Sequence, residues 1–296
     1  MAAPETADKP AAGTDPARTS SGIVSSELGK RIASAIVLIP LALLAAYLGG
    51  WPFALFWLVA GIAAVVEWTA MARVAPLRPV QAVAAIGLAT LSLMLISGVS
   101  FVLGVGVVAG TALIVGALAS GPAGKVWATT GFLYAVVITV VPPVVREHPN
   151  LGLAGLLWMF AVVWTTDIAG YFTGRSLGGP KLWPRVSPKK TWSGFIGGVL
   201  AAALAGFLVA WSVQRLGIMP PFSLRNVIML SIVASVASQL GDLGESAMKR
   251  RFDVKDSSHL IPGHGGVMDR LDGFWAVCLI LGGVLLLIRL SPSAPA

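Results

Sequence analysis

Long apolar runs, each close to the thickness of a bilayer, constrain the fold of this chain more than any other feature. A helix needs roughly 20 mostly apolar residues to cross the hydrocarbon core. The nine candidate runs lie at about 32–49, 52–72, 80–98, 101–118, 124–142, 151–172, 194–213, 225–244 and 270–289. With 56% hydrophobic and 11% charged residues, the chain has too few charges to cover this surface in water. The sequence therefore predicts an all-α, polytopic membrane bundle of about nine transmembrane helices.

The distribution of polar residues divides the chain into three regions. Residues 1–29 are rich in Ala, Pro, Ser, Thr and Asp, and we expect them to form a disordered cytoplasmic tail. Residues 30–150 hold spans one to five. Residues 151–296 hold spans six to nine, with cytoplasmic loops at 173–193 and 245–269. The single cysteine, Cys278, excludes an internal disulfide and a thiolate metal cluster.

The basic residues indicate the orientation in the membrane. If the N-terminus is cytoplasmic, 17 of the 21 lysines and arginines fall in cytoplasmic segments, as the positive-inside rule requires. The same bias, together with anionic lipid headgroups, explains the net charge of +8 without a nucleic-acid partner. We therefore predict a multi-pass protein of the cell (plasma or inner) membrane.

Acidic residues collect at the predicted cytoplasmic face. Residues 249–273 alone carry nine charged residues between two apolar spans. Charged groups near lipid are costly and mark functional sites, so we expect chemistry at the membrane surface, in a catalytic region formed by residues 151–296. Eight acids lie at or near this face: Glu67, Asp167, Asp242, Glu245, Asp253, Asp256, Asp269 and Asp272. Of these, Glu67 and Asp167 are expected to be structural or pocket-lining partners.

Two pairs of acids are candidates for a metal site. Asp242 and Glu245 lie in QLGDLGES, and Asp269 and Asp272 lie in MDRLDG. The spacing of three residues places both carboxylates of a pair on one helix face. Oxygen ligands without cysteine indicate magnesium, which also takes waters and substrate phosphates. A second, monovalent cation is left open.

Other interpretations of these charges remain open at this stage. An acid at a helix N-terminus is favourable, so Asp269 and Asp272 also fit a role as helix caps. The acids also fit ion pairs with nearby cations, namely Lys249, Arg250 and Arg270. His259 and His264 raise zinc as an alternative metal, without a second supporting motif.

Two basic, glycine-containing loops predict phosphate binding. In GRSLGGPKLWPRVSPKKTWSGFIGG, Gly178 and Gly179 let backbone amides approach an anion closely. The segment SPKKT places hydroxyl and ammonium groups before the seventh span, whose N-terminus favours anions. These groups belong to Ser187, Lys189, Lys190 and Thr191. In PGHGG, Gly265 and Gly266 leave the backbone bare for a ligand.

The stretch SAMKRRFDVKDSSHLIPGHGGVMDRLDG resembles the signature of the phosphatidate cytidylyltransferases, or CDP-diacylglycerol synthases. The shared pattern includes Lys-Arg, Lys-Asp, Pro-Gly-His-Gly-Gly, and Asp-Arg followed after one residue by Asp. TTDIAGYFTGR, SPKKTWSG and SQLGDLGES are similar to other motifs of that family, so the resemblance covers residues 160–275. Ser193 departs from it, because the family usually carries an acid there.

The resemblance implies a reaction and a role for each motif. The chain is expected to join CTP and phosphatidic acid into CDP-diacylglycerol and pyrophosphate, with magnesium bound directly by Asp242 and Asp269 and supported by Glu245 and Asp272. The CTP triphosphate is expected at Ser187, Lys189, Lys190 and Thr191. The lipid phosphate is expected at Lys249, Arg250 and Arg270. The remaining signature residues complete the site, with His264 orienting a phosphate: Lys255, Asp256, His264, Gly265 and Gly266.

Two other functions, a lipid kinase and a transporter, remain alternatives, and a homodimer remains a candidate assembly. A membrane lipid kinase of the dolichol or phytol kinase type would use CTP as a phosphoryl donor. A transporter would need carboxylates spread through the depth of the membrane, whereas these cluster at one face. Besides CTP, phosphatidic acid and membrane lipids, a second copy of the chain is a candidate partner, because helix faces of small residues allow close packing in a homodimer.

Overall fold

The computed structural model describes residues 29, 34, 36–217, 222–263 and 265–290. The described residues form nine α-helices and one two-stranded β-hairpin. In chain order the elements are α1 (Ile36–Leu48), α2 (Gly50–Met71), α3 (Leu77–Ile96), α4 (Phe101–Leu118), α5 (Gly121–Glu147), α6 (Gly152–Leu177), β1 (Lys181–Trp183), β2 (Ser187–Thr191), α7 (Trp192–Arg215), α8 (Leu224–Arg251) and α9 (Met268–Leu290). The predicted all-α bundle is confirmed.

Eight of the predicted spans are confirmed as helices long and apolar enough to cross a membrane, α2 to α9. The described part of the first predicted span is α1, residues 36–48, which is shorter than the roughly 20 residues that crossing requires. Residues 30–33 and 35 lie outside the described residues, as do residues 1–28 of the predicted tail.

The bundle has two clusters of buried apolar side chains that meet at α2 and α5. One cluster joins α2, α3, α4 and α5 around Val65, Leu88 and Phe132. The other joins α2 and α5 to α6, α8 and α9, where the rings of Trp57 and Phe274 stack with centroids 4.9 Å apart. Packing therefore continues across residue 150, and the N-terminal helices support the C-terminal ones directly.

Glycines bring the helices that carry the charged motifs into close contact. A Cβ at Gly194 of α7 would lie 2.6 Å from the carbonyl oxygen of Gly170 in α6. A Cβ at Gly241 of α8 would lie 2.6 Å from the carbonyl oxygen of Asp272 in α9. Any side chain at these positions would separate the backbones, so the missing Cβ fixes the distance between the helices.

The two predicted cytoplasmic loops are shorter in the structure than the sequence indicates. α6 continues to residue 177, and α8 continues to residue 251. Hydropathy detects only the part of a helix that lies in hydrocarbon, while a helix with polar residues can extend beyond it. Asp242, Glu245 and Lys249 consequently lie on one continuous helix.

A β-hairpin occupies most of the remaining loop between α6 and α7. β1 and β2 pair antiparallel, with Lys181 opposite Thr191 and Trp183 opposite Ser187. Thr191 caps α7, because its Oγ1 accepts a hydrogen bond from the N–H of Gly194 at 3.2 Å. The hydroxyl of Ser193, the residue that departs from the family pattern, donates to the carbonyl of Gly178. These contacts fasten the hairpin between the end of α6 and the start of α7.

Candidate active site

Several helix ends meet at one end of the bundle and bring the charged residues together. α2 and α8 end there, α7 and α9 begin there, and the hairpin and residues 252–267 connect to them. We refer to residues 178–191 together with Asp242 as the hairpin side of the site. Residues 252–267 together with Asp269 form the loop side.

Asp269 organises the loop side. Its Oδ2 accepts hydrogen bonds from the backbone N–H groups of Ser257 and Gly266, both at 2.8 Å, and from the Ser257 hydroxyl at 2.9 Å. Its Oδ1 accepts a hydrogen bond from Lys249 Nζ at 2.6 Å. The side chain is 6% exposed, so these donors offset the cost of burying its charge. The loop is thus folded around this carboxylate.

Lys249 lies between two acids. Its Nζ is 2.6 Å from Asp269 Oδ1 and 3.2 Å from Glu245 Oε1. The contact with Glu245 is an ion pair that lacks hydrogen-bond geometry. This arrangement agrees with the ion-pair interpretation for Glu245 and Asp269. The expected role of Lys249 at a lipid phosphate stays a prediction, and its charge is here shared by two carboxylates.

Asp242 faces the hairpin side from α8. Its Oδ2 lies 2.5 Å from Lys190 Nζ, and its Oδ1 accepts a hydrogen bond from the Ser246 hydroxyl at 3.3 Å. The side chains of Lys190 and Asp242 are 26% and 32% exposed, so a ligand can reach both. Asp167 of α6 lies within electrostatic range of Asp242 and Lys190. The hairpin side therefore holds Asp242 and Lys190 in an accessible position, and Asp167 adds a second acid close to them.

Asp272 links the two sides of the site. It lies within electrostatic range of Asp242 and Asp167 on one side and interacts with Glu245 on the other. The close contact of α8 and α9 at Gly241 sets this position. Like charges held together raise the free energy of the site unless cations approach them. The acids of α6, α8 and α9 thus form a cluster that favours bound cations.

The structure limits how the predicted metal ligands can act. Among the residues that it describes, no group of three or more His, Cys, Asp or Glu side chains is arranged as a metal site. Magnesium, however, often binds through one or two carboxylates with waters and substrate phosphates. Asp242 Oδ2 and Asp269 Oδ1 each contact a lysine ammonium group, so each of these carboxylate oxygens is already paired with a cation. This donor chemistry fits a magnesium ion that arrives with a phosphate ligand.

Some of the predicted site residues lie at the exposed rim of the site. They are Lys189, Arg250, Lys255 and Arg270, predicted to bind phosphate, and the signature residue Asp256. Ser187 is half-buried in β2, and Thr191 is buried at the start of α7. Gly265 has a φ of +81°, and its carbonyl accepts a hydrogen bond from the N–H of Ile261 at 2.8 Å, which brings these two residues together. His264 lies outside the described residues.

Glu67 of α2 belongs to the site, although no motif points to it. Its carboxylate accepts hydrogen bonds from residues of the loop and of the start of α9, namely Ser257, Ser258, Val267 and Met268. These partners are 190 to 201 positions away in the chain, so sequence spacing could not reveal them. The detectable signal is a lone acid inside an apolar span, which is costly unless it has partners.

An apolar cavity of about 380 Å³ lies beside the acidic cluster. Aromatic side chains of Trp68, Tyr134 and Trp275 form part of its wall, and Glu245 and Asp272 reach its edge. Two further lining residues are exposed on the outside of the bundle, Leu240 and Leu279. The cavity therefore connects the charged site to the surface that faces lipid in a membrane.

Known proteins are similar to this chain in sequence over most or about half of its length. The profile of the Cytidylyltransferase family matches residues 29–288, well beyond the motifs at 160–275. The phosphatidate cytidylyltransferase of Brucella suis is 40% identical over 257 residues, which cover 86% of this chain and 92% of that protein. The phosphatidate cytidylyltransferase of Bacillus subtilis is 43% identical over 130 residues, 44% of this chain and 46% of that protein. The enzyme of the same name from Staphylococcus epidermidis is 41% identical over 140 residues, 47% and 52% of the two chains.

Proposed function

Because the chain belongs to the cytidylyltransferase family, we propose that it is a phosphatidate cytidylyltransferase of phospholipid biosynthesis. A phosphate oxygen of phosphatidic acid attacks the α-phosphorus of CTP. The bond from the α-phosphorus to the oxygen that bridges to the β-phosphate breaks, and pyrophosphate leaves. CDP-diacylglycerol remains in the membrane. The observation that carries this proposal is the contact between an accessible charged site and an apolar cavity, since one substrate is a soluble nucleotide and the other a lipid.

The hairpin side is proposed to receive CTP. Lys190 is partly exposed and neutralises Asp242, and Lys189 next to it is exposed. Ser187 adds a half-buried hydroxyl on β2, and Thr191, whose buried hydroxyl caps α7, fixes the hairpin at the N-terminus of this helix, where the helix dipole favours phosphate. Phosphoryl chemistry of this kind depends on positioning and charge neutralisation, which lysines and a helix N-terminus provide.

The cavity beside Glu245 and Asp272 is proposed to receive the apolar part of phosphatidic acid. Its aromatic and aliphatic wall suits hydrocarbon, and its exposed leucines lie where the lipid would enter. Arg250 and Arg270 lie at the exposed rim and are proposed to bind the lipid phosphate, since a guanidinium group can donate to two phosphate oxygens. The second ionisation of a phosphate monoester lies at about pH 6, so its attack needs no general base near neutral pH.

Magnesium is proposed to bind Asp242 and Asp269, with Glu245 and Asp272 nearby. When bound, it would neutralise the triphosphate and stabilise the leaving pyrophosphate. The residues of this chain then keep the lysines, the loop and the carboxylates in position around the phosphates. A second, monovalent cation stays a prediction.

We also propose that the site faces the cytoplasm and that the N-terminus is cytoplasmic, in the plasma or inner membrane. The support is the excess of lysine and arginine in the segments at this end of the bundle. A homodimer stays a prediction. It is supported by α4, where Gly104, Gly106 and Gly110 have open space around them.

The test uses purified protein in detergent with phosphatidic acid, magnesium and CTP labelled at the α-phosphate. We expect label in the lipid fraction and an equal amount of pyrophosphate in water, both dependent on phosphatidic acid. Omission of phosphatidic acid and addition of a chelator are the controls. Label that stays in the aqueous fraction under all conditions would contradict the proposed function.

A further inference from the structure

Glu67 joins the middle of the loop between α8 and α9 to the start of α9. Its Oε1 accepts hydrogen bonds from the Ser258 hydroxyl at 2.6 Å and the Val267 N–H at 2.9 Å. Its Oε2 accepts from the Met268 N–H at 2.8 Å and the Ser257 hydroxyl at 3.1 Å. The side chain is 4% exposed. A buried charge without hydrogen-bond partners would be strongly unfavourable. The four donors around this carboxylate therefore stabilise its charge and hold it in place.

Two of these donors lie at the start of α9: the N–H of Met268 is the first amide of the helix, and the N–H of Val267 directly precedes it. α9 begins at residue 268, and the opening N–H groups of a helix have no partner within the helix. Glu67 supplies that partner from α2 and places a negative charge at the positive end of the helix dipole. The first turn of α9 carries Asp269. The position of Asp269 therefore depends on a helix from the N-terminal half of the chain.

Ser257 connects Glu67 to Asp269. Its hydroxyl lies 3.1 Å from Glu67 Oε2 and 2.9 Å from Asp269 Oδ2. Gly266 packs against the same group, since a Cβ there would lie 2.6 Å from Glu67 Oε2. Two carboxylates from different helices thus share one serine and enclose the glycines of the loop.

We propose that Glu67 is a positioning residue for cytidylyl transfer. It holds the loop against Asp269, whose Oδ2 accepts from the N–H groups of Ser257 and Gly266, so that Asp269 keeps its position in the site. The reaction part of this inference rests on the proposed function. The structural part, which concerns the loop alone, does not.

The test compares the parent protein with Glu67→Gln in detergent. The amide side chain introduced by this change keeps one acceptor oxygen and turns an NH₂ group toward donors that need an acceptor, so the loop loosens. We expect amide hydrogen exchange in residues 257–268 to rise at least about tenfold. We expect kcat to fall about 10- to 100-fold, because small misplacements of reacting groups are costly, while the KM for CTP changes less than about threefold.

The matched control is Thr69→Val on the same helix. Thr69 is buried, but its hydroxyl donates to the carbonyl of Val65 and accepts from Gln81 of α3, away from the loop. We expect exchange in residues 257–268 and kcat to stay as in the parent. If Glu67→Gln leaves exchange in the loop unchanged, or raises it without lowering kcat per folded molecule, the proposal is overturned.

A second variant keeps the test decisive if Glu67→Gln does not fold. Ser258→Ala removes one of the four donors and leaves Glu67 in place. We expect a smaller rise in loop exchange and a several-fold lower kcat, and an unchanged kcat would contradict the proposal. If the parent protein transfers no label to lipid, the proposed function fails. The exchange comparison still decides whether Glu67 holds the loop.

Discussion

The hairpin side and the loop side hold their carboxylates in different ways. Asp242 is 32% exposed, and its contacts come from the side chains of Lys190 and Ser246. Asp269 is 6% exposed and accepts hydrogen bonds from two backbone amides, a hydroxyl and Lys249. Exposed side-chain contacts can exchange for a ligand, whereas buried backbone contacts organise the chain.

Asp242 and Asp269 are both expected to bind the metal, but their contacts give them different structural roles. The ion pair of Asp242 with Lys190 is partly exposed, so breaking it should disturb the fold little. Asp269 Oδ1 contacts Lys249, and its Oδ2 keeps the loop folded. Substitutions on the two sides should therefore separate activity from stability.

The largest effect is expected for Asp269→Asn. The NH₂ group introduced by this change would face the N–H groups of Ser257 and Gly266, and Lys249 would lose a charged partner. We expect activity to fall about 1,000-fold and the free energy of unfolding to fall by about 3 kcal/mol. Cytidylyl transfer and thermal unfolding in detergent measure the two effects. Asp253→Asn, which changes an exposed acid on the same loop, is the control and should alter neither.

A smaller loss, confined to activity, is expected for Asp242→Asn. A charge that binds cations is removed, so transfer should fall about 100-fold. The ion pair with Lys190 is partly exposed and contributes about 0–1 kcal/mol, so the free energy of unfolding should change little. A loss of stability as large as that of Asp269→Asn would show that the two sides do not differ in this way.

The smallest effect is expected for Lys190→Met. This change removes the ammonium group that contacts Asp242 and is proposed to meet the triphosphate. We expect the KM for CTP to rise about tenfold, equivalent to about 1.4 kcal/mol of binding, and the KM for phosphatidic acid to stay the same. Lys181→Met on β1, which changes an exposed lysine of the same hairpin, is the matched control. If both substitutions raised the KM for CTP equally, Lys190 would contribute only general positive charge and no specific contact with the triphosphate.

Much of the fold follows from elementary patterns in the sequence. Apolar runs of bilayer length predicted α2 to α9, because a helix satisfies its own backbone hydrogen bonds in lipid. The concentration of charge in residues 249–273 predicted the place of the site. The limits of the helices were less predictable, since α8 continues through Glu245 and Lys249 beyond the apolar residues.

Glu67 was expected as a structural or pocket-lining partner, but the contacts that the sequence did not predict join distant residues. The contact of Glu67 with Met268 joins positions 201 apart and leaves no periodic trace. The hairpin at 181–191 is short, and its proline and basic residues resemble those of a loop. Ser193 was marked only as a departure, yet its hydroxyl donates to the carbonyl of Gly178, which an ionised acid could not do.

Labels at the two ends of the CTP triphosphate show which group is transferred to the lipid. CTP labelled at the α-phosphate and CTP labelled at the γ-phosphate are incubated separately with the purified protein, phosphatidic acid and magnesium. Cytidylyl transfer predicts that the α-label enters the lipid fraction and the γ-label leaves as pyrophosphate. A γ-label in the lipid fraction, with the α-label left in water as CDP, would contradict cytidylyl transfer and show that the chain catalyses phosphoryl transfer.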